Sequence, residues 1–278
     1  MSSNPLAKYF RQPVIYIRLP SQGKFYPTSA IEIPANAEFG VLPMTTLDEV
    51  TYRTPDAMFN GAATVSVIQS CVPNIKNAWA VPSMDLDTLM LAIRIASYGH
   101  ELETDSVCPK CSHEDTYTTD LRSILDSLKA PDYNRRLVVG DIEVVFKPLN
   151  YQQMNENSMI QFAQQKSLQV IQLSEEPEEV KLEKMGEVLK NLTTATVKAL
   201  AGNIGIVRTP DGAVSNSEHI HEWLKNCDRE IFAKLRDFIT EIKSAGDIRP
   251  LSIKCSSCSH EYEQDLTLDM ANFFDRAS

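Results

Sequence analysis

The chain has 278 residues, of which 43% are hydrophobic and 23% charged, enough apolar material for one large or two ordinary globular domains. Its 37 acidic residues outnumber the 27 basic ones for a formal charge of −10, and the basic ones are scattered, which argues against a general phosphate-binding surface. No apolar run approaches the ~18 residues of a membrane span, and the opening MSSNPLAKYFRQP lacks the apolar stretch of a signal peptide, so a cytosolic protein is expected.

In chain order, PVIYIRLP, SQGKFYP and IEIPANAEFGVLPM read as short strands separated by Gly and Pro turns, a small β region. TTLDEV places Thr46 and Glu49 at capping-box spacing, and TPDAMFNGAATVSVIQSC puts Thr54 at an N-cap with Pro55 in the first helical position, so two helices follow. SMDLDTLMLAIRIASYG opens at the cap candidate Ser83, carries Leu86, Leu89, Leu91, Ile93 and Ala96 on a broad apolar face, and stops at Gly99. HELETDSV and EDTYTTDL alternate like the arms of a β-ribbon, and RRLVVGDIEVVFKPL is a hairpin bending at Gly140-Asp141. Residues 151–203, rich in Gln, Glu, Lys, Leu and Met and broken by Pro177, predict two helices. IGIVRTPDGAVS predicts a hairpin turning at Asp211-Gly212. DREIFAKLRDFITEIKSAG predicts an amphipathic helix from the cap Asp228 to Gly246, with Ile231, Phe232, Leu235, Phe238, Ile239 and Ile242 as its core stripe. PLSIKC and EYEQDLTL close the chain as a strand pair.

The turn between the ribbon arms, CPKCSHE at 108–114, recurs as CSSCSHE at 255–261. A zinc ribbon needs two such bends, because tetrahedral zinc takes four ligands and each Cys-x-x-Cys supplies two. One shared site of Cys108, Cys111, Cys255 and Cys258 therefore explains the repetition, with 112–254 as a folded insert whose ends must meet. The alternatives are metal-free turns, or separate ions using His113 and His260. Four thiolates leave no open coordination position, so the expected Zn²⁺ is structural.

Motifs for catalysis fail one after another. HIHEWLK, 219–225, has Lys225 where a His-Glu-x-x-His site needs its second histidine; GNIGIV lacks dinucleotide-loop spacing; and neither a phosphate-binding Gly-Lys loop nor a Gly-x-Ser-x-Gly elbow occurs. Cys71, among Val67, Ile68 and Val72, reads as a buried thiol. Asp85 and Asp87 read as helix-start charges, and Glu175, Glu176, Glu178 and Glu179 as a solvated loop. No enzyme is expected. In LPSQGKFYP, Phe25 and Tyr26 flank a rigid turn too short to bury both rings, which makes them candidate partner anchors unless they fold back onto the first helix.

Three stretches in order, RLPSQGKFYP, LPMTTLDEVTYRTPDAMFNGAATVSVIQSCVP and DTLMLAIRIASYGHELETDSVCPKCSHE, resemble the baseplate hub proteins of T-even-type contractile-tailed phages, as does the closing IKCSSCSHEYEQDLTLDMANFF. The resemblance covers residues 13–114 well and leaves 150–245 unmatched. It implies a non-enzymatic tail-assembly protein that contacts other hub or tail proteins, in the host cytoplasm during assembly or in the baseplate of the virion. The competing reading is a zinc-ribbon nucleic-acid-binding or transcription accessory protein, which the acidic balance disfavours. The expected fold class is α+β: a small N-terminal β region, a helical middle, β-hairpins, and a split four-cysteine zinc ribbon joined by a largely helical insertion. Boundaries are expected at 1–130, 131–248 and 249–278.

Overall fold

The structure, a computed structural model, describes residues 4–54 and 61–266. The fold is α+β, and the chain divides into two compact units. One is drawn from residues up to 78, from 84–130 and from 246 onward; the other from 79–83 and 131–245. No helix among the described residues is long and apolar enough to cross a membrane.

In the first unit, β1 (Ile15–Ile17) pairs antiparallel with β2 (Phe39–Val41). Helix α1 (Thr46–Tyr52) begins in a capping box, one residue earlier than the Thr46/Glu49 spacing predicts: Thr45 accepts the Asp48 N–H while the Asp48 carboxylate accepts the Thr45 N–H. Tertiary partners select this register. The same buried carboxylate accepts from Arg11 at 3.2 Å and from the Ser70 hydroxyl at 3.1 Å. Arg11 also donates to the carbonyls of Pro43 and Ser70, at 2.5 and 2.8 Å, so the N-terminal arm is tied to α1 and to α2 (Ala62–Cys71). The helix start expected at Thr54-Pro55 involves residues 55–60, which lie outside the described residues.

Helix α3 (Ser83–Tyr98) ends where expected, with Gly99 at φ 89°, a left-handed conformation that favours glycine. Instead of one apolar face, it is buried on every side from Thr88 to Ala96, while Leu86 is only half-buried. An all-round apolar helix is a core element. Its one buried cation, Arg94, lies over the Tyr98 ring at 4.9 Å and donates to the Gly99 carbonyl at 3.4 Å.

Asp85 stands in the first turn of α3, but it is fully buried rather than a solvated helix-start charge. Its carboxylate accepts from the Ser21 N–H at 2.8 Å, the Ser21 hydroxyl at 2.5 Å and the Tyr26 hydroxyl at 2.9 Å. The turn that aims these donors runs left-handed at Gln22, Gly23 and Phe25. A Cβ at Gly23 would come within 2.5 Å of the end of the exposed Ile33 side chain, which would have to swing aside, so the left-handed φ of 78° is what favours glycine there.

A short helix, α4 (Leu121–Ser127), begins at the cap Asp120. The second unit holds an antiparallel sheet in the order β5 (Arg136–Val139), β6 (Ile142–Phe146), β7 (Ile204–Thr209), β8 (Gly212–Val214). The sequence predicts two separate hairpins here, and the structure joins them along β6–β7 with a register shift at Val145/Phe146. The second hairpin turns at Pro210-Asp211, with Gly212 already in the returning strand. Between β6 and β7 the chain makes two long helices, α5 (Tyr151–Leu173) and α6 (Glu178–Asn203), packed on each other, with Pro177 as the N-cap of α6. Helix α7 (Ser217–Asn226), capped by Asn216, holds the HIHEWLK segment and buries Ile220 and Leu224. Helix α8 (Arg229–Ser244) is capped by Asp228 as expected and buries Leu235, Ile239 and Ile242, while Phe238 meets Phe146 at 5.4 Å.

Burial holds the Asp85 pKa up at about 6 against the downward pull of its hydrogen bonds from Ser21 and Tyr26. A raised folded-state pKa for an acid stabilises the fold fully below the ordinary aspartate range, and that contribution is lost as pH rises through about 6. The melting temperature of the wild type minus that of Asp85→Asn should therefore fall as pH rises from about 4 to about 6; a flat or rising difference contradicts this. Asp85→Ala, which orphans three donors, should cost on the order of 3 kcal/mol by denaturant unfolding.

Candidate metal centre

The two repeated turns sit at the ends of two β-hairpins, β3 (Glu101–Val107) with β4 (Glu114–Asp120) and β9 (Leu251–Lys254) with β10 (Glu261–Gln264). Both belong to the first unit. The turns are the same bend built twice. The Cys108 N–H donates to the His113 carbonyl at 2.9 Å, and the Ser112 N–H to the Cys108 carbonyl at 2.9 Å. In the second turn the Cys255 N–H donates to the His260 carbonyl at 2.9 Å, and the Ser259 N–H to the Cys255 carbonyl at 3.0 Å. Ser112 and Ser259 both take the left-handed conformation, each at φ 56°. The serine repeated after each second cysteine thus stands at a backbone corner of the turn, a role that its place in the sequence does not announce.

The bends bring the four sulfurs together. The Sγ atoms of Cys108, Cys111, Cys255 and Cys258 all lie within 4.8 Å of one another, with Cys108 to Cys258 and Cys111 to Cys255 each at 3.7 Å. A disulfide holds its sulfurs at about 2.05 Å, so these are four free thiols. A tetrahedron with metal–sulfur bonds of about 2.3 Å has edges of about 3.8 Å, and the donor set fits zinc. Cys108 and Cys255, the first cysteine of each turn, are buried; Cys258 is half-buried and Cys111 exposed.

The sulfurs share their protons unequally. Burial raises the Cys108 pKa, but the backbone N–H groups of Cys111 and Lys110, with the neighbouring thiols, hold it down at about 7, while Cys111, despite the His113 N–H, is pushed up to about 12 by Cys258, burial and the other two sulfurs. The N–H of Cys258 likewise lowers Cys255, assisted by Ser257 and opposed by burial. The hairpins also bond directly to one another. Ser106 and Tyr262 share a hydroxyl–hydroxyl bond of 2.7 Å, the Ser256 hydroxyl donates to Asp115 at 2.5 Å, and the Gln264 amide donates to the Asp105 carbonyl at 3.2 Å. Sequence reasoning does not single out these cross-hairpin residues, since nothing local marks a side chain whose partner lies 141 to 159 positions away. His113 and His260 are not among the clustered ligand atoms; His260 stacks on Tyr262 instead.

The other singled-out residues are dispersed. Cys71 is buried beneath the Arg11 guanidinium, and burial, then the Asp48 charge, push its thiol up to about 12 despite Arg11. Glu176 pairs with Lys184, and Glu178 and Glu179 occupy the first turn of α6. His219 and His221 lie on α7 and join no cluster of ligand atoms among the described residues. At the N-terminal turn the two aromatics part company: the Tyr26 hydroxyl is committed to Asp85, whereas Phe25 is 45% exposed.

The family model described as T4 bacteriophage base plate protein matches residues 46–275, and the chain belongs to this family. The match includes both cysteine turns and the 150–245 region that the resemblance leaves aside, while RLPSQGKFYP lies before it. Comparison with curated proteins and with solved structures gave no match.

Cys71 should resist alkylation in the native protein at mildly alkaline pH and react only on unfolding, as read by mass spectrometry of the labelled cysteine. Rapid native labelling would show that the Arg11–Asp48 lid opens readily.

Proposed function

We propose that the chain is a structural or assembly component of the baseplate hub of a contractile phage tail, acting through protein contacts, with one structural Zn²⁺ shared by Cys108, Cys111, Cys255 and Cys258. The observation that carries the metal is the 3.7 Å spacing of sulfurs from two turns that the sequence places far apart. Four converging thiols gain nothing from one another, and a divalent cation turns that crowding into coordination. In this reading residues 131–248 are an insertion between the halves of the ribbon. The four ligands leave the ion no site for substrate, which accords with a non-catalytic part of the tail.

Protein rather than nucleic acid is the favoured partner because of the ribbon's own charge. The arms of the first hairpin carry Glu101, Glu103, Asp105, Glu114, Asp115 and Asp120, and Lys110 and Lys254 are too few to offset them against phosphate. Phe25 serves as a partner anchor in this reading, presented outward by a left-handed backbone that a bulky residue adopts only under constraint.

Purified protein should carry one zinc per chain by elemental analysis; a ratio near two, or near zero in folded protein, overturns the shared site. Cys108→Ser and Cys255→Ser should lower the melting temperature equally and abolish zinc, since either opens the same tetrahedron, and Cys71→Ser should leave zinc content unchanged. On co-expression with other tail proteins of the same phage the chain should be retained by at least one of them. Phe25→Ala should weaken that retention with little change in melting temperature; an unchanged retention removes Phe25 from the contact.

A further inference from the structure

In the first unit a cavity of about 440 Å³ opens between residues 16–20, helix α3 and the chain that leaves α4, a size within the range of ligand pockets. All five residues from 16 to 20 line it, although Ile17 and Leu19 are buried while Tyr16 and Arg18 are exposed. Side chains of an extended chain alternate between two faces, so a cavity that touches consecutive residues runs along the edge of the chain rather than across one face. That edge is open: among the described residues β1 has β2 as its one strand neighbour, and no β2 residue lines the cavity. The buried polar residue of the lining is Thr88 of α3, 4% exposed, whose hydroxyl has no hydrogen-bond partner among the described residues. Leaving a buried hydroxyl unpaired destabilises a fold, and a group seated in the cavity that Thr88 lines is what can supply the partner. The lining carries two charges. Arg18 is held by Glu38 at 3.0 Å, whereas Asp126 forms no ion pair among the described residues, and Arg122, one turn before it on α4, is held by Asp120 at 2.7 Å. The last turn of α4 has no basic residue, so its terminal carbonyls add to the negative field at Asp126.

We infer that this groove receives an extended segment of another tail protein, which pairs along the open edge of β1 and the residues after it. The segment seats an apolar side chain against Leu125 and Leu128, sets a hydrogen-bonding group on Thr88 and brings a lysine or arginine to Asp126. The inference rests on the reading that the chain acts through protein contacts. Shape favours main chain as the occupant, because five residues at about 3.3 Å each offer about 17 Å of edge, the length of an ordinary strand. Charge favours a basic segment, because Asp126 is the unpaired charge of the lining and the whole chain, at −10, draws positive charge from further off.

Overlapping synthetic peptides that tile the other tail proteins of the same phage, and this chain as well, test it when titrated against the full chain. A peptide from another tail protein should bind, should carry a lysine or arginine near an apolar residue, and should bind more weakly as salt is raised. Thr88→Val should weaken binding about tenfold while the melting temperature stays level or rises, since valine nearly keeps the shape and removes an unpaired hydroxyl. A hydroxyl with a purely structural role would not separate the two readouts. Asp126→Lys should also weaken binding, and exchanging the basic residue of the peptide for glutamate should then restore it. Amide hydrogen exchange at residues 16–19 should slow when the peptide is bound. Binding indifferent to Thr88→Val overturns the inference, as does a bound peptide that leaves exchange at 16–19 unchanged or that comes from this chain itself. So does the failure of every peptide while an intact tail protein still retains the chain, and that result leaves the tail-assembly reading intact; loss of retention as well removes both.

Discussion

The approach of two short turns distant in sequence is the constraint from which the first unit takes its form. Each hairpin is a two-stranded ribbon, which is marginal in water by itself. What joins them is a small set of cross-hairpin hydrogen bonds led by Ser106–Tyr262 and Ser256–Asp115, around the point where the four sulfurs meet. Closing so long a loop costs an entropy that grows only slowly with length, and folding of the intervening unit removes most of the freedom that remains. The duplication of Ser-His-Glu after each turn then has a mechanical meaning. The serine supplies the left-handed corner and the histidine carbonyl receives the first cysteine's N–H, so both turns present their thiols with one geometry.

A second set of long-range ties is polar and buried. Asp85 gathers Ser21 and Tyr26 onto α3, and Asp48 with Arg11 gathers the N-terminal arm onto α1 and α2. Neither is a solvated ion pair of small effect, because the carboxylates are buried and most of their acceptor positions are filled. Such ties specify a single arrangement: an apolar arm slides against a core at little cost, whereas a carboxylate that loses three donors cannot. They also explain why the N-terminal segment, with only short strands of its own, is ordered against the helices.

What is legible in the sequence follows the range of the interaction. The hairpin at Gly140-Asp141, the break at Pro177, the cap at Asp228 and the stop at Gly99 are set by neighbours a few residues away, and each stands where its local signal puts it. The α1 capping box slips by one residue because Arg11 and Ser70 choose Asp48 over Glu49. The β6–β7 pairing has no sequence signal because a long helical hairpin separates Phe146 from Ile204 in the chain, and alternation alone does not name a partner strand. The four cysteines are legible despite their distance for one reason only, that the turn is written twice. The burial of Asp85 is not legible, because its partners lie 59 and 64 positions away and carry no motif.

On the proposed reading, the sulfur cluster would make folding of the ribbon conditional on something outside the chain. Four thiolates would contribute their stability only with a cation in place, which would link the first unit's ribbon to metal. Helix α5 buries one side chain in 23 residues, so its own packing adds little to the stability of the second unit. Linkage runs both ways: a ligand that binds only a folded form stabilises it, and a form already folded binds without the entropy of ordering. A catalytic protein gains little from stability that waits on a partner. For a baseplate component, such a dependence would keep an unassembled chain adaptable and make the assembled one rigid.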